Sequence, residues 1–70
     1  MKYTVIVEEG PASFGAYVPD LPGCVAAAAT REEVVQLIRE AIVLHLEALQ
    51  RDGAAAPAPA CTSVIVDIAA

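Results

Sequence analysis

Apolar and polar residues alternate from Lys2 to Glu8, with Tyr3, Val5 and Val7 on one side and Thr4, Ile6 and Glu8 on the other. That two-residue period, carried by β-branched side chains, predicts a first strand. Glu9-Gly10-Pro11-Ala12-Ser13 ends it in a turn, because glycine tolerates positive φ and proline fixes φ while removing a ladder donor. Phe14 to Val18 reads as a short second strand. Pro19-Asp20-Leu21-Pro22-Gly23 must close it, since two closely spaced prolines forbid regular pairing. Cys24 to Ala28 takes the place of a third strand by context, alanine being a weak strand former.

The period then changes. Thr30-Arg31-Glu32-Glu33 is a capping box, in which the threonine side chain accepts from the amide three residues on and Glu33 reaches back. From Arg31, apolar residues recur at three- and four-residue intervals through Val34, Leu37, Ile38, Ala41, Ile42, His45, Ala48 and Leu49, predicting one wide face that covers the sheet. Asp52-Gly53 stops the helix, with Arg51 in the last turn favourably placed against the macrodipole. Such a helix runs about 33 Å, whereas a seven-residue strand spans about 23 Å. Its last turns therefore overhang the sheet. Val43, Leu44, Leu46 and Leu49 crowd that end and are the expected self-association surface.

Ala54 to Ala60, with Pro57 and Pro59, reads as an extended connector of polyproline type. Thr62 to Ile68 resumes alternation, Val64, Val66 and Ile68 lying opposite Ser63, Ile65 and Asp67, and predicts a fourth strand. The fold class is α+β in the order βββαβ. Strands one to three form an antiparallel meander, and the fourth returns parallel to a neighbour, most simply the first, after the long helix packed on the sheet.

Seventy residues hold one domain, spanning 1–70, and one modest core. The chain is 57% hydrophobic, much of it alanine, so apolar surface is left over and a homo-oligomer or complex is expected. Nine acidic residues against four basic ones give a net charge of −5, with no basic stripe to follow a phosphate backbone. Direct nucleic-acid binding is not expected. The acidity either attracts a basic protein or simply keeps the domain in solution. Neither a signal peptide nor a membrane span is legible: Met1 to Glu9 alternates, and Val34 to Leu49 carries Gln36, Arg39, Glu40, His45 and Glu47. A cytoplasmic setting follows, and Cys24 and Cys61 read as buried free thiols.

Chemistry is sparse. A ribonuclease-H-like enzyme needs clustered carboxylates for divalent cations, one of them on the first strand. The centre of that strand offers Thr4, Val5, Ile6 and Val7, leaving Glu8, Glu9, Glu40 and Asp67 as an incidental set. His45, the only histidine, lies among Ala41, Ile42, Ala48 and Leu49 and reads as structural. No cofactor, metal site or catalytic residue is expected. The stiff Pro19, Asp20, Leu21 and Pro22 loop is either a partner contact with Leu21 as its apolar tip or a tight turn at the sheet edge. Glu32, Glu33, Gln36, Glu40 and Glu47 either face a basic partner or are merely solvated.

Tyr3 to Glu9, Gly15-Ala16-Tyr17-Val18-Pro19-Asp20-Leu21-Pro22-Gly23-Cys24, Thr30-Arg31-Glu32-Glu33 and Ile42 to Leu49 together resemble the HicB-like antitoxin family over nearly the whole chain. The resemblance implies a partly degraded ribonuclease-H-like fold that neutralises a small, basic ribonuclease toxin of the HicA type by covering its active surface. Many relatives carry a C-terminal DNA-binding module. This chain reaches Ala70 without one, so an operator-binding role is not expected of it. It also departs from relatives at Ala26-Ala27-Ala28-Ala29, where a glycine and a polar residue often precede the cap. The alternatives are a homo-oligomeric scaffold of the same fold with no toxin partner and, more remotely, a divalent-metal nuclease.

Overall fold

The computed structural model describes residues 1–69. Three strands, β1 (Ile6–Glu9), β2 (Phe14–Tyr17) and β3 (Val25–Ala28), precede one helix, α1 (Arg31–Arg51). The sheet is an antiparallel meander in the order β1-β2-β3. Ile6 sits opposite Tyr17 and Glu9 opposite Phe14; on the other side of β2, Phe14 faces Ala28 and Tyr17 faces Val25. The α+β class, the antiparallel three-strand order and the long helix are those expected from the sequence.

The strands are shorter than the alternation suggested, for a reason of pairing. A ladder reaches only as far as its neighbour, and β2 leaves the sheet after Tyr17 because Pro19 and Pro22 cannot continue it. Residues 2–5 consequently have no strand opposite them, although Tyr3, Val5 and Val7 still pack on the core as their shared face requires.

At the start of α1 the Thr30 hydroxyl accepts from the Glu33 amide at 3.1 Å and donates to the Glu33 carboxylate at 3.0 Å. The helix closes in a Schellman arrangement: the Gly53 amide donates to the Gln50 carbonyl (3.1 Å) and the Ala54 amide to the Leu49 carbonyl (2.9 Å). Gly53 adopts φ 73° to permit this. Gly53→Ala is expected to lower stability by about 1–2 kcal/mol through left-handed strain, seen as a lower midpoint in urea. An unchanged midpoint would contradict this reading of the cap.

The core holds Ala16, Val18, Leu21, Cys24, Val34 and Ile38. Val34 and Ile38 come from the first two turns of α1, while Val35, Ala41, Ile42 and Leu46 pack at its margin. Leu37, assigned to the covered face by spacing, is 41% exposed. The helix settles with Val34, Ile38 and Ile42 as its central row, which turns Leu37 outward and brings Val35 in. Helix α1 lies mainly over β3 and β2 and touches β1 least.

The expected fourth strand differs most. Residues 54–69 form no strand in the single chain and are exposed throughout; Val64, Ile65, Val66 and Ile68 are 83%, 99%, 65% and 72% exposed. A strand exists only against a neighbour, and in the isolated chain residues 62–69 do not pair with the open edge of β1.

Candidate partner-binding surfaces

The loop joining β2 to β3 is shaped by its own backbone. The Leu21 amide donates to the Val18 carbonyl (3.0 Å), the Cys24 amide to the Leu21 carbonyl (3.0 Å) and the Val18 amide to the Cys24 carbonyl (3.2 Å). These bonds coil residues 18–24 back under the helix, with Gly23 at φ 85° completing the turn. Leu21 is thereby driven into the core, where none of its surface is exposed. It is not the apolar tip that the proline-flanked pattern suggested. Pro19 and Pro22 remain outside and Asp20 is half-buried.

Asp20 binds the chain's own distal segment. Its Oδ2 accepts from the Ala60 and Cys61 amides, each at 3.1 Å. The Thr4 hydroxyl donates to the Cys61 carbonyl at 2.7 Å, and the Tyr3 hydroxyl donates to the Pro57 carbonyl. Four hydrogen bonds thus moor residues 57–61 beside the start of β1, a clamp that the sequence alone did not disclose. Only a carboxylate separated by forty residues from two consecutive free amides can do this, and no local pattern marks it.

The two Cys61 and Ala60 amide bonds hold the Asp20 carboxyl below its ordinary value of 3.8. A depressed carboxyl strengthens its contacts at every pH above the ordinary value and loses that contribution as pH falls through the lowered one. The Ala60 and Cys61 amide resonances are accordingly expected to titrate with a midpoint below 3.8. Asp20→Ala should also speed hydrogen exchange at both amides at neutral pH. A midpoint above the ordinary value, or exchange unaffected by the substitution, would argue against the clamp.

Both thiols are held toward their protonated form. Burial pushes the Cys24 thiol up, and Cys61 is pushed up by its hydrogen bond to the Asp20 carboxylate, by desolvation and by that negative charge. Both are free, Cys24 buried and Cys61 exposed. The exposure of Cys61 corrects the expectation that its thiol is buried, and follows from the unpaired state of that segment. Among the described residues, no three His, Cys, Asp or Glu side chains gather closely enough to hold a metal ion. No helix among them is long and apolar enough to cross a membrane. His45 is half-buried on α1.

Beside the distal segment, two further apolar surfaces stand out among the described residues. One is the outer side of α1, opposite the core, where Leu37, Val43 and Leu44 are 41%, 51% and 65% exposed. Glu33, Glu40 and Glu47 are exposed on that side and alternate with Leu37 and Leu44 in steps of four and three residues. Of the four residues expected to crowd the helix end, Val43 and Leu44 are on this outer side, whereas Leu46 and Leu49 are half-buried. The other surface is a groove of about 510 Å³ between β1 and α1, lined by Tyr3, Val5, Val7, Val35, Ile38 and Ile42 and rimmed by Lys2, Arg31 and Arg39. It opens because α1 leans toward β3. A second cleft of about 490 Å³ separates Val5, Ile6 and Val7 from Ile65 of the distal segment.

Comparison with known proteins agrees with this architecture. The family described as "HicB_like antitoxin of bacterial toxin-antitoxin system" matches residues 3–68. A protein of Thermoplasma acidophilum, UPF0150 protein Ta0767, is 38% identical over 52 residues, covering 73% of this chain and 75% of that protein. A chain of the solved "HicA3 and HicB3 toxin-antitoxin complex" superposes with a TM-score of 0.71 at 30% identity, covering 86% of this chain and 70% of that one.

Proposed function

The chain belongs to the HicB-like antitoxins of bacterial toxin-antitoxin systems, and from that premise we propose that it acts in the cytoplasm as the inhibitory subunit for a small, basic ribonuclease toxin of the HicA type, without catalysis of its own. The observation that carries this reading is the outer side of α1, an apolar row of Leu37, Val43 and Leu44 interleaved with Glu33, Glu40 and Glu47. Apolar side chains there gain by leaving water, and carboxylates steer a cationic surface and compete with the phosphates of its RNA. The net charge of −5 adds to that attraction. The likeness to a chain of a toxin-antitoxin complex supports a toxin as the partner.

Inhibition in this reading is occlusion. The antitoxin contributes no reacting group; it occupies the face that the RNA would otherwise reach. Pro19 and Pro22 offer the toxin a second, rigid contact, because their backbone loses little freedom on binding. Residues 62–68 supply the fourth strand of a degraded ribonuclease-H-like sheet once an edge is available to them.

The test is to co-express the chain with a HicA-type toxin encoded beside it and to measure both complex formation and RNA cleavage. A stoichiometric complex with cleavage suppressed is the expected result. A chain that assembles only with itself, while the toxin is expressed and active, would replace this reading with the homo-oligomeric scaffold.

A further inference from the structure

We infer that two copies of this chain exchange residues 62–68, each segment pairing as a strand with the other copy's β1 and laying its side chains into the groove between that β1 and α1. The inference is independent of any toxin. It rests on four features of the single chain.

First, the segment has the residue pattern of a strand but no neighbour to pair with. Thr62 to Ile68 contains four β-branched apolar residues, a single charge and no proline, and it is exposed on both faces. Such a sequence gains by pairing and by covering its side chains.

Second, a matching vacancy exists. In the order β1-β2-β3 the outer edge of β1 has no partner. At its centre lie Val5, Ile6 and Val7, with none of the lysines, prolines or bulges that guard edge strands. The groove beside it is apolar and of about 510 Å³. Val64, Val66 and Ile68 share one face of the segment and can fill it, with Ile65 facing the other way.

Third, the segment does not fill its own vacancy. Residues 57–61 are moored to Tyr3, Thr4 and Asp20, so its root is already beside β1. Beyond Cys61 the chain nonetheless stands away, and Ile65 shares a cleft of about 490 Å³ with Val5, Ile6, Val7, Glu9, Phe14 and Arg31. An opening between an edge strand and a parked strand of the same chain is where a copy's strand inserts, hydrogen-bonding to β1 on one side and to the parked segment on the other.

Fourth, the connector favours reaching outward. Pro57 and Pro59 stiffen residues 54–60 into an extended spacer that resists folding the segment tightly back. Exchange of identical segments about a two-fold axis satisfies both copies at once and leaves no open edge at the join.

Light scattering of the full chain across micromolar concentrations is expected to give a dimer. The double variant Val64→Asp, Val66→Asp should give a monomer whose helical circular dichroism is unchanged, because both residues are largely exposed in the single chain and neither belongs to the core. A wild-type monomer, or a variant that still dimerises, would overturn the inference. Exchange is distinguished from side-by-side packing by placing Val7→Cys together with Val64→Cys, Val66→Cys or Ile68→Cys in turn, in a Cys61→Ser chain. Under oxidation, exchange gives a covalent dimer on a non-reducing denaturing gel. Bridges confined to single chains, or no bridge at any of the three positions, would overturn it.

Discussion

Replacing Leu21 with alanine is expected to cost about 2–5 kcal/mol. The side chain has no exposed surface and sits among Val18, Cys24, Val34 and Ile38. Truncation removes its burial and leaves a cavity that the loop cannot close, because three backbone bonds fix residues 18–24 in place. A domain of 70 residues has only roughly 4–10 kcal/mol to lose, at about 0.05–0.15 kcal/mol per residue. Leu21→Ala should therefore leave a substantial fraction unfolded or move the urea midpoint to low denaturant. Pro22→Ala, on the exposed side of the same loop, should stay within about 0.5 kcal/mol. If the two variants behaved alike, Leu21 would not be a core residue.

Reversing the chemistry of the outer face of α1 should do the opposite, sparing the fold and removing the partner. Leu44→Lys with Glu40→Lys places a charge in the apolar row and cations where the toxin's own cations are expected. Both positions are exposed, and both new residues are good helix formers. Stability should change little, while affinity for the toxin falls at least about 30-fold, the effect of losing about 2 kcal/mol at an interface hot spot. Titration calorimetry measures the affinity and circular dichroism the helix. Binding that survives the double substitution would move the toxin to another surface, the Pro19 and Pro22 loop being the next to test.

The parts of this fold legible in the sequence are those decided locally. The capping box at Thr30 and the glycine stop at Gly53 both stand where their chemistry requires, since each needs only a few consecutive residues. Strand positions were legible but their lengths were not. The ladder between β1 and β2 ends where β2 turns away, which is a property of the pair. The sequence left Leu21 open between an exposed tip and part of a tight turn, because an apolar residue between prolines suits either, and only the inward coil of the backbone reveals the core. Asp20 gave no signal at all, its partners lying forty residues away at Ala60 and Cys61. On α1 only exposure can be compared: Val43 and Leu44 of the expected self-association surface are exposed, whereas the exposure of Leu37 could not be named, because its orientation depends on which row of α1 settles into the core.

The extended stretch from Ala54 to Ala69 has a consequence for the lifetime of the molecule. Proteases grip substrates in extended form, by their backbones and by apolar side chains, and a chain already held open and unpaired needs no unfolding before cleavage. A copy on its own presents such a stretch continuously, with Ile65 almost fully exposed. Where partners are scarce, cleavage is expected to begin here, and limited proteolysis of the single chain should cut within this stretch before it cuts the helix.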